Sequence, residues 1–241
     1  MHSAKHHIIA QLQREILPLQ GFKPLPEKLV IGLGEIDRAF PNYAFPLGAV
    51  HEFICSGAET VSASGGFIAG ILGKLMKNHG AAIWISSSAT IFAPALRSFG
   101  IDPGKIIFVD LNNQKEMLWA MEEALKCEGL TAVIGEIPEL NFTFSRRFQL
   151  AVEQSRVTGF IIRNNPRKLD ITACISRWQV SSLPSAPDNN MPGVGFPRWN
   201  VELLKVRNGK PGSWQLEYAG GNFRYLTNIV PLLSGQQRKT G

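Results

Sequence analysis

The chain opens with apolar residues at helical spacing: Ile8, Ile9, Leu12, Ile16 and Leu19 share one face of an amphipathic helix. Pro18, Pro24 and Pro26 end it, and the proline- and glycine-spaced stretch that follows cannot form one regular element. From residue 49 the pattern becomes orderly. Apolar runs at 50–55, 81–85, 106–109, 131–135 and 159–162 read as buried strands. Between them, 67–78, 89–99, 115–127 and 144–156 carry the 3.6-residue period of helices, and a small-residue loop, 56–66, joins the first strand to the first helix. Short apolar strands separated by helices of this length predict a parallel sheet with right-handed crossovers. After residue 163 the period shortens: 172–180, 199–206 and 214–218 read as strands, the last two forming a hairpin across Asn208-Gly209-Lys210-Pro211-Gly212. The stretch 181–197 reads as a mobile loop, and the tail from 234 as disordered. The expected fold is α/β, a mostly parallel sheet flanked by helices, extended by antiparallel C-terminal strands.

Composition adds limits. With 241 residues, 44% hydrophobic and 18% charged, the chain is long enough and apolar enough to bury a full core. Its apolar runs fall far short of the roughly 20 residues of a membrane span, and residues 1–16 lack the pattern of a secretory signal, so no membrane role is expected. Cys55, Cys127 and Cys174 have neither disulfide nor zinc spacing and suit a reducing cytoplasm. Charge is distributed unevenly. The first 140 residues hold 11 basic and 14 acidic side chains, the remaining 101 hold 14 and 5. A basic C-terminal third points to an acidic partner, nucleic acid or protein, or is simply a solvated basic face.

In an open α/β sheet, ligands bind beyond the carboxyl ends of the strands. The segment after the first strand, with Ser56, Gly57, Ser64, Gly65 and Gly66, occupies the place of a phosphate-binding loop. Such a loop needs a lysine on the phosphates and a Ser or Thr on magnesium. No Gly-Lys-[Ser/Thr] occurs in the chain, Lys74 lies two turns into the helix, and Glu59 would repel phosphate. Glu136 ends the strand where a nucleoside triphosphatase places its magnesium-binding aspartate, and it reads as a relic of that role or as a partner for Arg146 or Arg147. The strand at 81–85 ends in Ser86-Ser87-Ser88 and offers no carboxylate to polarise water. The five histidines make no metal triad. Trp178, Trp199 and Trp214 read as packing residues rather than base platforms. No catalytic residue, metal or cofactor is expected.

Several segments in order carry a resemblance. LGEID (33–37) and FPLGAVHEF (45–53) resemble the entry to the first core strand of RecA-type recombinases. WISSS (84–88), FAPAL (92–96), FGIDP (99–103), LWAMEEAL (118–125), AVIGE (132–136), SRRFQLA (145–151), SRW (176–178), PRWNVEL (197–203) and PGSW (211–214) are similar to the ImuA family of RecA-like mutagenesis proteins. The resemblance implies a RecA-like core over 29–233, preceded by a helix and linker at 1–28 and followed by a tail at 234–241. It implies a bacterial, cytoplasmic, nucleoid-associated protein of the DNA-damage response, acting in error-prone translesion synthesis. Its partners would be ImuB, a Y-family polymerase relative without an active site, an error-prone C-family polymerase, RecA, and single-stranded DNA. The missing lysine and carboxylates then describe a RecA-like chain working as an adaptor rather than a motor. The expected contact surfaces are the N-terminal helix and the basic residues Arg146, Arg147, Arg163, Arg167, Lys168 and Arg177. The stretch 164–170, where RecA carries a long DNA-binding loop, is short here, which argues against filament-style wrapping of DNA. Two alternatives stand beside the adaptor: a DNA-stimulated ATPase with a degenerate phosphate loop, and a cell-division inhibitor resembling SulA.

Overall fold

A computed structural model describes residues 31–77, 80–87, 91–185 and 195–226. Nine strands form one sheet: β1 (Val50–Cys55), β2 (Ala81–Ser86), β3 (Ile106–Asp110), β4 (Leu130–Glu136), β5 (Thr158–Asn164), β6 (Ser176–Leu183), β7 (Arg198–Val206), β8 (Gly212–Ala219) and β9 (Asn222–Tyr225). Their order is β3-β2-β4-β5-β1-β6-β7-β8-β9. The pairs from β3 through β6 are parallel and those from β6 through β9 antiparallel. Among the described residues three α-helices, α1 (Ala58–Leu75), α2 (Gln114–Leu125) and α3 (Phe142–Ser155), make the crossovers from β1 to β2, β3 to β4 and β4 to β5.

The strand pleat sends alternate side chains to two cores. On one face Phe53, Trp84, Ile134, Phe160, Trp178 and Leu216 pack against Phe67, Ile68, Ile71 and Leu72 of α1. On the other, Val50, Ile85, Val133 and Ile161 pack against Met121 and Leu125 of α2 and Phe148 and Val152 of α3. The central strands are buried on both faces, which is why they read as continuous apolar runs. The side chains of Asn113 and Asn141 cap α2 and α3, accepting from the backbone N–H of Lys115 and Phe144. Among the described residues no helix is long and apolar enough to cross a membrane.

Four expectations change. The segment 56–66 is not a loop: α1 begins at Ala58, with only Ser56 and Gly57 between it and β1. Ala58 and Glu59 suit a first helical turn, and the Thr60 hydroxyl accepts from the Ser56 N–H and donates to the Gly57 carbonyl, closing the junction. The element expected at 89–99 is a 3-10 helix, Ala93–Phe99, begun by Pro94 and ended by Gly100 at φ 75°. The strand expected at 172–180 is β6, starting at Ser176, because Thr172 and Ala173 are held by side chains as described below. The residues at 181–183, expected in a loop, complete β6. The fourth strand of the C-terminal group, β9, follows the Gly220-Gly221 turn, where both glycines take positive φ. The N-terminal helix at 1–28, the tail at 234–241 and most of the loop at 181–197 lie outside the described residues.

Candidate functional site

Beyond the carboxyl ends of β1, β2, β4 and β5 lies a crevice of about 340 Å³, lined in part by Ala58, Val61 and Ser62 of α1, Trp84, Ile91 and Ile162. This is the crevice in which a doubly wound sheet holds its ligand, but its walls are mainly apolar. Glu136 borders it and accepts a hydrogen bond from Trp84 Nε1 at 2.9 Å. The partner of Arg147 is instead Glu122, at 2.6 Å, and the Arg147 guanidinium lies 5.4 Å from the centre of the Phe144 ring. Glu59 accepts from the Ser182 hydroxyl and Lys74 donates to Asn222 Oδ1 at 2.6 Å, near the far end of α1. No cation of α1 therefore points at the crevice.

The small residues of the supposed phosphate loop do other work. Ser64 is buried beside Cys55, with Oγ 3.3 Å from Sγ, and faces the sheet. Gly66, Gly70 and Gly73 follow one another at helical spacing along one side of α1. A Cβ at Gly66 would stand 3.0 Å from the Trp199 ring, and one at Gly70 2.5 Å from Phe223. At Gly73 it would overlap the Phe99 carbonyl oxygen. This glycine stripe lets the β7–β9 aromatics and the last residue of the 3-10 helix approach α1 closely.

The basic residues divide into two sets. Arg146 and Arg147 lie on the exposed side of α3, and Arg167 and Lys168 on the exposed β5–β6 connection, where Lys168 pairs with Asp170 at 3.0 Å. Arg163 departs from the expected contact role, and Arg177, 15% exposed, bonds to the same buried carboxylate. Arg163 is fully buried, its Nη1 3.2 Å from Glu52 Oε2, and Arg177 Nε lies 2.9 Å from Glu52 Oε1. The enclosed Arg163 guanidinium cannot reach a phosphate. The reason is Glu52, a carboxylate in the middle of β1 with no exposed surface, which needs partners in place of water. Thr172 Oγ1 donates to the same carboxylate. Further guanidinium N–H groups donate to backbone carbonyls, Arg163 to Pro138 and Lys168, Arg177 to Asp170.

Other titratable groups are structural. His51 is buried, stacked 4.3 Å from Phe45, with Nε2 2.8 Å from the Pro46 carbonyl and Nδ1 2.6 Å from Ser176 Oγ. The carbonyl can only accept, so Nε2 carries the proton, and burial pushes the ring's pKa down to about 3. Burial pushes the Cys174 thiol up to about 12. Among the described residues no group of three or more His, Cys, Asp or Glu side chains could hold a metal ion. Trp178 and Trp199 are buried and Trp214 packs against the first core, as their spacing in the sequence predicts.

No family model matches the chain. Among solved structures, the RadB recombinase superposes with a TM-score of 0.57 at 12% identity, covering 83% of this chain and all of that one, which shows a RecA-like fold. Among curated proteins, Protein ImuA from two strains of Caulobacter vibrioides is 34% identical over 202 residues, covering 78% of this chain and 83% of the relative. At that identity, over more than three quarters of both sequences, the chain belongs to the ImuA family.

Proposed function

We propose that this protein is a non-catalytic RecA-like adaptor in DNA-damage-induced, error-prone translesion synthesis. In this reading it bridges an ImuB-type polymerase relative and an error-prone C-family polymerase, with RecA and single-stranded DNA as further partners. One observation carries the reading: β1 runs into α1 at Ala58, so the backbone amides that would wrap a triphosphate are wound into a helix. Three features support it. The crevice is mainly apolar, the Glu136 carboxylate on its border accepts from Trp84 Nε1, and Lys74 is tied to β9. Membership of the ImuA family supports a role in mutagenesis.

The test is in two parts. ATP hydrolysis by the purified full chain is measured with magnesium, with and without single-stranded DNA. Turnover above the no-protein control, at any DNA concentration, overturns the non-catalytic reading and restores the DNA-stimulated ATPase. Association is then measured with purified ImuB-type protein from the same genome. Stable complex formation is expected, and its absence overturns the adaptor.

A further inference from the structure

We propose that the β5–β6 connection, residues 165–175, is a prebuilt docking loop for an acidic protein segment that carries aliphatic side chains. The inference rests on the adaptor reading and names the surface through which a protein partner is held.

The loop is short, yet six surrounding parts of the fold anchor it. Arg163 Nη2 donates to the Lys168 carbonyl at 3.0 Å and Arg177 Nη2 to the Asp170 carbonyl at 2.7 Å. Glu139 accepts from the Arg167 N–H at 2.9 Å, and Ser145 Oγ of α3 accepts from the Ala173 N–H at 2.9 Å. From β7, Lys205 reaches the Thr172 carbonyl at 3.5 Å, and Arg207, one residue past the strand, reaches that of Ala173 at 2.9 Å. Beneath them Glu52 binds Thr172, Arg163 and Arg177 together. Burying a carboxylate and a guanidinium is costly even when they are paired, and a hydrophobic pair would hold the strands as well. What an ionic cluster adds is donors for loop carbonyls, and both arginines spend theirs in that way.

The side chains this frame presents are apolar and uncovered. Ile171 is 75% exposed and Leu169 51% exposed, while the backbone between them is clamped. Two large aliphatic side chains on a rigid loop resemble an interface anchor rather than a solvated turn. Because the loop is already ordered, a partner would not have to order it on binding. The collar is cationic: Arg167, Lys168, Arg177, Lys205 and Arg207 stand against Glu139 and Asp170, while the buried Glu52 is matched by the buried Arg163. That excess of positive charge favours an acidic partner. Single-stranded nucleic acid is also acidic, but its bases stack on aromatic rings and arginine planes, and the two exposed tips here are aliphatic. Leucine and isoleucine suit the side chains of a protein.

The experiment uses the full chain and the purified ImuB-type protein as probe, with oligo-dT as a second probe. Leu169→Ser with Ile171→Ser is compared with wild type and with Trp119→Ala, which alters an exposed aromatic on α2. Thermal unfolding of each variant is recorded, and wild-type stability is expected because the replaced side chains are exposed. The proposal expects the loop variant to bind the protein probe about tenfold more weakly or worse, with Trp119→Ala unchanged. Arg167→Glu with Lys168→Glu should also weaken binding, and flatten its salt dependence. Unchanged affinity in both loop variants overturns the docking loop and leaves the adaptor standing. Loss of oligo-dT binding with protein binding intact also overturns it, in favour of a nucleic-acid surface. If wild type itself fails to bind the protein probe, the adaptor reading and the docking loop fall together. Should the serine variant prove unstable, Leu169→Gln with Ile171→Thr carries the same test.

Discussion

Gly73→Ala probes the glycine stripe of α1 directly. In an exposed helix this substitution stabilises by about 1 kcal/mol, because alanine loses less backbone entropy on folding. Here the new methyl would overlap the Phe99 carbonyl oxygen. The obstacle is backbone, in the 3-10 helix that packs beside α1, and it cannot rotate away as a side chain would. Tyr218 Oη also lies 3.7 Å from the position of the methyl and donates to the same carbonyl at 3.4 Å, so relief in that direction disturbs a second contact. Overpacking a tight interface costs about 1–3 kcal/mol, and a backbone obstacle belongs at the upper end. Setting about 3 kcal/mol of strain against about 1 of helix propensity leaves a net loss of about 2 kcal/mol. For a domain of this size that lowers Tm by about 4–8 °C. Urea unfolding followed by far-UV circular dichroism measures it, with Gly129→Ala as control, since a Cβ there meets nothing within 4 Å. A Gly73→Ala protein as stable as wild type, or more so, would refute the packing role of the stripe.

Further outcomes follow from the buried polar groups. Arg163→Ala strips a buried carboxylate of one of its two cations and frees the Pro138 and Lys168 carbonyls, and should cost about 3–5 kcal/mol in urea unfolding. His51, neutral in the folded protein down to about pH 3, titrates near 6.5 when unfolded. Its contribution to stability is therefore complete above pH 6.5 and is lost as the pH falls toward 3, by about 1.4 kcal/mol per pH unit. His51→Gln should flatten the acid limb of a stability–pH profile; a limb as steep as wild type's would refute the assignment. Of the three thiols, only the exposed Cys127 should react rapidly with a thiol reagent in the native protein, because burial raises the pKa of both Cys55 and Cys174. Fast modification of two or more thiols would contradict that.

The central strands and the helices expected at 115–127 and 144–156 were legible in the sequence because their periods are local; the structure moves the helix starts to Gln114 and Phe142, where Asn113 and Asn141 cap them. The hairpin at Asn208-Gly209 was legible for the same reason: Asn208 takes the left-handed conformation, φ 56°, that such a turn demands. The missing lysine is also a one-dimensional fact. Tertiary structure decided the rest. Small residues at 56–66 look like a loop until Trp199, distant in sequence, is seen against Gly66 and Cys55 against Ser64. Arg163 and Arg177 look like contacts until Glu52, 111 and 125 residues away, is found buried between them. A charge is read from sequence as if it faced water. Whether it does depends on which strands become neighbours, and β1 gains both of its partners, β5 and β6, from the later part of the chain. That long-range pairing turns two expected ligands into a frame and leaves Leu169 and Ile171, which carry no charge and no motif, on the outside.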